Sequence, residues 1–271
     1  MEQNAPHPLL LGIIGWPLGH SLSPLLHNWA LDKAGLKGLY VAWPIAPDSL
    51  EAFMVGMRVL HIHGCSVTIP HKQRVIPYLD GVTDLARQTG AVNTLFWSRG
   101  GLWGDNTDCS GFLAPLRGLG RVPGSALILG AGGAALACVA ALRQAGVDRI
   151  KVAARRRDAL EGLSRRFAIE RIGWDERDRQ EAELLVNATP LGMAGDREAL
   201  SPMPSNALGH FSLVYDLIYN PAQTRLLREA GDMGCQVLGG LAMFVHQAAA
   251  QFERWTGRRF VEDQAFDLLQ A

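Results

Sequence analysis

The sequence has little charge and no imbalance of charge. Its 271 residues include 26 Lys and Arg residues and 26 Asp and Glu residues, so the formal net charge is zero. There is no basic arm and no acidic tail. Nucleic acids and anionic membrane surfaces attract proteins through clustered positive charge. The composition therefore argues against both of those partners.

Cysteine and long apolar runs are also scarce. None of the four cysteines forms a Cys-x-x-Cys pair, so free thiols are expected. No run of eighteen apolar residues occurs, so no membrane span is expected. The first eight residues lack the layout of a secretory signal, which favours a cytoplasmic protein. The length suits one large or two modest domains.

A glycine turn between an apolar strand and an alanine-rich helix is the stretch that bears most on function. The strand is predicted at Ala126–Leu129 and the helix from about Ala134, with Gly130, Gly132 and Gly133 between them. Glycines let the backbone approach a pyrophosphate, which the helix N-terminus then binds. The Gly-x-Gly-x-x-Ala motif is weak alone, since an ordinary strand–helix turn would give it too.

Arginines follow the next predicted strand, at Arg149–Ala154. Units that bind NAD usually have an acidic residue there for the ribose hydroxyls, whereas this sequence has Arg155, Arg156 and Arg157. Guanidinium groups suit the 2′-phosphate of NADP, because they donate paired charge-assisted hydrogen bonds. The alternative is that the arginines are only the solvated, basic start of a helix. Because Asp158 is an acidic residue close by, NAD also stays open as the cofactor.

Strands and helices alternate from Ala126 onward, with further strands predicted at 183–186, 213–217 and 235–238. This alternation predicts a parallel sheet covered on both faces. The front part has predicted strands at 8–15, 39–45 and 61–69 and a hairpin at 91–103. The sequence therefore predicts an α/β fold throughout. His61, His63 and Cys65 alternate on one strand, but three ligands on a flat strand converge poorly on an ion, so no metal site is expected.

Several polar side chains lie where strands end, and each has an ordinary explanation. Ser21 and Ser23 precede a helix and would cradle a carboxylate, unless Ser23 only caps that helix before Pro24. Lys72 follows a strand that ends at Pro70, where α/β sheets place ligands, unless it is a plain surface lysine. A helix is predicted at about 109–119, and one of Asn106, Thr107 and Asp108 would cap it, which is the ordinary explanation for all three.

Seven motifs then occur in one order along nearly the whole chain. They are GWPLGHSLSP at 15–24, VTIPHK at 67–72, GAVNT at 90–94, GDNTD at 104–108, GAGGAA at 130–135, NATPLGM at 187–193 and the segment 243–247. In these motifs and their spacing the sequence resembles the shikimate dehydrogenase family.

The resemblance implies two lobes and one reaction. Residues 1–108 with 241–271 would form an α/β substrate lobe, and residues 109–240 a Rossmann-type, doubly wound parallel-sheet lobe for NADP(H). The reaction implied is the reversible reduction of 3-dehydroshikimate to shikimate by NADPH. The implied partner is this small molecule, in a monomer or homodimer.

The resemblance also assigns roles to residues. Lys72 and Asp108 would be catalytic. The substrate would contact both of them and six further residues, namely Ser21, Ser23, Thr68, Asn93, Tyr219 and Gln247. The cofactor would contact Asp84, Gly130, Ala131, Gly132, Gly133, Ala134, Arg155, Arg156, Thr189, Leu217, Gly240 and Met243.

Three positions depart from the family pattern. Ser66 stands where Asn is usual, Ala154 where Asn precedes the arginine, and Gly239 where an acidic residue precedes Gly240. Two alternatives stay open: a quinate/shikimate dehydrogenase that prefers NAD, and a non-catalytic regulator that binds shikimate on the same scaffold.

Overall fold

The computed structural model describes residues 8–19, 21–120 and 122–270. Up to residue 107 its elements are β1 (Leu9–Gly15), α1 (Ser23–Lys33), β2 (Gly38–Pro44), α2 (Leu50–Val59), β3 (Gly64–Val67), β4 (Gly81–Val82), α3 (Asp84–Thr89), β5 (Thr94–Ser98) and β6 (Gly101–Asp105). The later elements are α4 (Asp108–Gly118), β7 (Ser125–Leu129), α5 (Gly133–Gln144), β8 (Arg149–Ala154), α6 (Arg157–Arg166), β9 (Glu170–Gly173), β10 (Leu184–Asn187), β11 (Leu213–Asp216), α7 (Arg225–Asp232), β12 (Gln236–Leu238), α8 (Gly240–Thr256) and α9 (Glu262–Gln270). None of the helices in these ranges is long and apolar enough to cross a lipid bilayer.

The chain divides into two compact units. The first consists of Met1–Thr107 with Ala248–Ala271, and the second of Asp108–Gln247. The division falls inside α8, seven residues beyond the boundary that the sequence suggested at 240/241. The assignment of one part to substrate and the other to NADP(H) remains a prediction.

The first unit contains a mixed six-stranded sheet in the order β2-β1-β3-β5-β6-β4. β1 runs parallel to β2 and β3, whereas β5 is antiparallel to β3 and β6. The apolar run of β1 is buried from Leu11 to its end, and Ile14 packs with Val67 and Leu95. Because of these directions, the carboxyl ends of β1, β3 and β6 meet the amino end of β5 at one edge of the sheet.

The second unit contains a six-stranded sheet in the order β12-β11-β10-β7-β8-β9, and every pair is parallel. The chain winds from β7 through β8 to β9, then returns to β10 on the other side of β7. This confirms the predicted Rossmann-type, doubly wound sheet. The strand order reverses between β7 and β10, and ligands of open α/β sheets bind outside such a point.

Most predicted elements are confirmed, and the differences have local causes. The strand predicted over 61–69 is only Gly64–Val67, because His61 has a φ of 49° and continues the turn after α2. The helix predicted at 222–230 begins at Arg225 instead, where the Thr224 side chain accepts the Leu227 N–H. The sequence did not predict β4, β9 or α3.

Candidate active site

Two serines lie at the start of α1, at the carboxyl end of β1. Ser21 Oγ accepts the backbone N–H of Ser23 at 3.3 Å. The interpretation of Ser23 as the helix cap is wrong, because Leu22 holds the N-cap position with no side-chain cap bond and Ser23 is already helical. Ser23 is buried and Ser21 half-buried. Two hydroxyls beside the N-terminus of an eleven-residue helix can hold a carboxylate.

The segment that carries Thr68 is bonded to the end of β1. The Thr68 N–H donates to the Ile14 carbonyl at 2.9 Å, and the Trp16 N–H donates to the Ile69 carbonyl at 2.9 Å. A side chain at Gly15 would collide with the Thr68 methyl group. The glycine therefore allows the serine-bearing loop and the Thr68 segment to lie against each other.

Lys72 is fixed through its backbone. Its carbonyl accepts the Val92 N–H at 2.7 Å, which ties it to the segment before β5. The preceding residue, His71, is fully buried, and its Nε2 lies 2.7 Å from the Ile45 carbonyl oxygen. The Lys72 side chain is half-buried, so it is not a plain surface lysine.

Asn93 and Thr107 form a reciprocal pair at the same edge. Asn93 Oδ1 accepts the Thr107 N–H at 2.8 Å, and Asn93 Nδ2 donates to Thr107 Oγ1 at 2.9 Å. Asn93 is 2% exposed. Asp108, the next residue, is buried and begins α4. The first unit thus brings together the segments of Ser21, Thr68, Lys72 and Asn93.

Sequence reasoning missed the anchor of this edge, Asp105. Its carboxylate accepts hydrogen bonds from Thr83 Oγ1 at 2.6 Å, the Asn106 N–H at 2.8 Å and Arg254 Nη2 at 2.5 Å. The signal was present as the first acid of the motif at 104–108, but its side-chain partners Thr83 and Arg254 lie 22 and 149 positions away in the sequence.

The glycine turn of the second unit has the geometry that a phosphate requires. Gly130 has a φ of +109°, and a Cβ there would lie 2.9 Å from the Ala188 carbonyl oxygen. Gly132 is the N-cap of the twelve-residue α5, and a Cβ there would meet nothing within 4 Å. The backbone of Gly132 therefore faces open space at a helix N-terminus, where a pyrophosphate fits. Ala131, Gly133 and Ala134 are half-buried beside it.

Arg155 and Arg156 lie beside this turn. β7 and β8 are paired from Ser125↔Arg149 to Leu129↔Ala153, and the Gly130 N–H donates to the Ala153 carbonyl at 2.8 Å. The arginines directly follow β8 and are exposed. Their charge is thus available near the glycine turn, as the 2′-phosphate of NADP requires.

The segments of Thr189 and Leu217 are joined by a buried pair that sequence reasoning missed. Asn187 Nδ2 donates to Asp216 Oδ1 at 2.9 Å. Asn187 Oδ1 accepts the Thr189 N–H at 2.9 Å and Thr189 Oγ1 at 2.7 Å, and the Asn187 carbonyl accepts the Leu217 N–H at 3.1 Å. One asparagine therefore shapes both loops.

Asp216 is fully buried at the end of β11. Burial raises the pKa of this carboxyl to about 6. Hydrogen bonds from Thr224 Oγ1, the Ile218 N–H and Asn187 act in the opposite direction and lower the pKa, but burial has the larger effect. The Thr224 bond is 2.7 Å long, and the same Thr224 caps α7. The carboxyl thus holds the loop after β11 to α7.

The remaining predicted residues of the second unit lie at the start of α8 and before it. Gly240 passes so close to Leu217 that any side chain would collide with the Leu217 carbonyl. Met243 is buried, and the Tyr219 ring packs 4.8 Å from that of Phe244. Gln247 Nε2 donates to the Phe244 carbonyl at 3.0 Å, so it is not simply directed to solvent.

Asp84 and the three departures from the family pattern have separate surroundings. Asp84 is exposed at the start of α3 and pairs with Arg87 at 2.7 Å. Ser66 is buried, with its hydroxyl bonded to Tyr40 and Gln251. Ala154 is buried at the end of β8. A Cβ at Gly239 would make only ordinary contacts, 3.5 Å or more away.

Comparisons with known proteins agree with this geometry. Residues 13–95 match the shikimate dehydrogenase substrate binding domain, and residues 240–260 match the shikimate 5′-dehydrogenase C-terminal domain. The chain is 50% identical over 262 residues to the shikimate dehydrogenase (NADP(+)) of Oleidesulfovibrio alaskensis, covering 96% of this chain and 94% of that one.

Two solved structures extend the likeness to three dimensions. Shikimate 5-dehydrogenase of Thermus thermophilus in complex with NADP(H) and shikimate is 36% identical with a TM-score of 0.87, covering 97% of this chain and 98% of that one. The enzyme of Listeria monocytogenes in complex with shikimate and NAD is 32% identical with a TM-score of 0.88, covering 99% of each. The chain belongs to the shikimate dehydrogenase family.

Proposed function

We propose that this protein is a shikimate dehydrogenase that reversibly reduces 3-dehydroshikimate to shikimate with NADPH, as one step of aromatic amino-acid biosynthesis. The observation that carries the proposal is the set of segments at one edge of the first unit's sheet. A pair of serines at a helix start, a lysine and a buried asparagine are suited to a small molecule with one carboxylate and several hydroxyls. The family membership supplies the substrate's identity.

Ser21 and Ser23 would hold the carboxylate, and Thr68, Asn93, Tyr219 and Gln247 would contact the ring hydroxyls. In this proposal the first unit, with the start of α8, is the substrate domain. The predicted boundaries of this substrate domain are residues 1–108 with 241–271.

Lys72 and Asp108 would carry out the proton transfer that accompanies the reduction. When bound, NADPH would be the hydride donor for the ketone carbon, and the carbonyl oxygen would then need a proton. The Lys72 ammonium donates the proton that completes the hydroxyl, and Asp108 accepts a hydrogen bond from that hydroxyl. In the oxidation direction a neutral Lys72 takes the same proton back. The bonds from Lys72 to Val92 and from Asn93 to Thr107 support this pairing, because Asp108 follows Thr107 directly. A positioned acid–base group contributes about a hundred- to ten-thousand-fold in rate.

The second unit would hold NADP(H), within predicted bounds of 109–240. The turn from Gly130 to Ala134 fits the pyrophosphate, and Arg155 and Arg156 fit the 2′-phosphate. Thr189, Leu217, Gly240 and Met243 would line the nicotinamide end. Asp84 would be a further cofactor contact, as the family resemblance implies.

The second candidate is a quinate/shikimate dehydrogenase that prefers NAD. Asp158 and the NAD complex of the Listeria relative favour it, whereas the two arginines after β8 favour NADP. A non-catalytic regulator would not need Lys72 and Asp108.

The monomer or homodimer state and the cytoplasmic location remain predictions from the sequence.

Product analysis tests the proposal. Purified protein is incubated with 3-dehydroshikimate and NADPH, and the product is identified by mass spectrometry and NMR. We expect shikimate in a one-to-one ratio with oxidised NADPH. Unchanged 3-dehydroshikimate would exclude the proposed activity.

A further inference from the structure

A chain of buried side-chain hydrogen bonds crosses the first unit and ends on Asn93. The Tyr40 hydroxyl donates to Ser66 Oγ at 2.7 Å, and Ser66 Oγ donates to Gln251 Oε1 at 2.8 Å. Gln251 Nε2 then donates to the Asn93 carbonyl at 2.9 Å and to Thr94 Oγ1 at 3.0 Å. Thr94 Oγ1 donates to Asn93 Oδ1 at 2.7 Å. β2, β3, α8 and β5 each contribute to this chain.

The direction of these bonds is set by Gln251. A threonine hydroxyl has one hydrogen, and the Gln251 N–H already occupies a lone pair of Thr94 Oγ1. The Thr94 hydrogen is therefore directed to Asn93 Oδ1, which also accepts the Thr107 N–H. Because the Thr94 hydroxyl and the Thr107 N–H both donate to Oδ1, they decide which end of the Asn93 amide is oxygen and which is nitrogen.

The side chains of this network are buried. Gln251 is 2% exposed, and Thr94 and Tyr40 are equally buried. The His27 ring stacks on Tyr40 with its centroid 4.4 Å away, and burial lowers the pKa of His27 to about 3, so the imidazole is neutral. A fully satisfied polar network in such surroundings is rigid and selects one arrangement.

We propose that Gln251 is a positioning residue for substrate recognition. It acts through Thr94 and the Asn93 backbone to orient the Asn93 amide toward a hydroxyl of the substrate. The inference rests on the proposed function, in which Asn93 contacts a ring hydroxyl of shikimate. Gln251 itself touches neither substrate nor cofactor in this account.

The test is a double-mutant cycle between Gln251→Met and Asn93→Ala. Gln251→Met keeps the length of the side chain but removes both N–H donors. We expect it to raise the KM for shikimate about tenfold, with kcat and the KM for NADP⁺ within about twofold of wild type. In the Asn93→Ala background the same substitution should add little further change.

Trp255→Phe is the matched control. Trp255 lies one turn further along α8 and donates from Nε1 to the Leu95 carbonyl of the same strand at 2.9 Å. If Gln251 merely stabilised β5, both variants would change the KM for shikimate alike, and the inference would be overturned. The inference would also be overturned if the fold changes in the KM for shikimate caused by Gln251→Met and by Asn93→Ala multiply in full in the double variant. These outcomes leave the proposed function intact, whereas an inactive wild-type protein would overturn both.

Discussion

Asn93 and Thr107 are joined by hydrogen bonds in both directions, although they lie fourteen positions apart in the sequence. The pair closes the hairpin of β5 and β6 at the edge where the segments of Ser21, Thr68 and Lys72 end. It also fixes the start of the helix that begins with Asp108.

Replacement of Lys72 tests the proton donor. We expect Lys72→Ala to lower kcat by about a hundred- to ten-thousand-fold, with little change in the KM for shikimate, because the lost interaction acts on the developing alkoxide. Steady-state kinetics measure both constants. Lys37→Ala, at an exposed lysine, is the control and should behave as wild type. Full activity in Lys72→Ala would remove this residue from the mechanism.

Replacement of Arg155 tests the choice between the two nicotinamide cofactors. A guanidinium that binds the 2′-phosphate has no counterpart to bind on NADH, so Arg155→Ala should raise the KM for NADPH far more than that for NADH. Arg166→Ala, at the exposed far end of α6, should change neither constant. An equal effect on both cofactors would mean that Arg155 does not distinguish them.

Two glycine substitutions separate fold from phosphate binding. Gly130→Ala should destabilise the protein by about 1–3 kcal/mol, because its positive φ is strained for alanine and the new methyl group meets the Ala188 carbonyl. Gly132→Ala meets open space, so it should cost less stability than Gly130→Ala, at most about 1 kcal/mol for an alanine at the helix N-cap. It should raise the KM for NADPH, since in the proposed site the methyl group lies where the phosphate approaches. Chemical denaturation and initial rates measure the two effects. Normal cofactor binding by Gly132→Ala would place the phosphate elsewhere.

Asp216 should make stability depend on pH. Its pKa is about 6 in the folded protein and ordinarily 3.8, so between these values the folded state keeps a proton that the unfolded chain has lost. The resulting stabilisation is complete below about pH 4 and is lost as the pH rises through about 6. It amounts to at most about 3 kcal/mol.

The measurement compares urea unfolding of wild type and Asp216→Asn. The free energy of unfolding of wild type relative to the variant should fall as the pH rises from about 4 to about 7, because other groups titrate alike in both proteins. A difference that stays constant over this range, or that grows with pH, would show that Asp216 is ionised in the folded state.

Sequence patterns predicted the parallel sheet and the glycine turn well because both are encoded locally. An apolar run, three glycines and an alanine-rich helix identify that unit without reference to the rest of the chain. By contrast, β4 has only two residues and β9 alternates little, so neither has a detectable pattern. Ser23 was misassigned as a cap because the sequence does not reveal that helical geometry begins at Ser23 itself.

The unpredicted parts of the candidate site depend on contacts between distant residues. The Asn187–Asp216 bond spans 29 residues, and the bonds from α8 to Asp105 and Asn93 span 149 and 158. A hydrogen bond of this kind needs two correctly placed partners. The periodic pattern of apolar residues along the sequence does not indicate how close two such distant residues lie in the folded protein. Resemblance to a family assigns such residues only where their role is part of the family's motif.

The proposed reaction is a hydride transfer between shikimate and NADP(H). The most direct measurement follows absorbance in the nicotinamide band while shikimate and quinate are each offered with NADP⁺ and with NAD⁺. We expect the highest kcat/KM for shikimate with NADP⁺. No absorbance change with any pair, or a higher kcat/KM for quinate with NAD⁺, would contradict it.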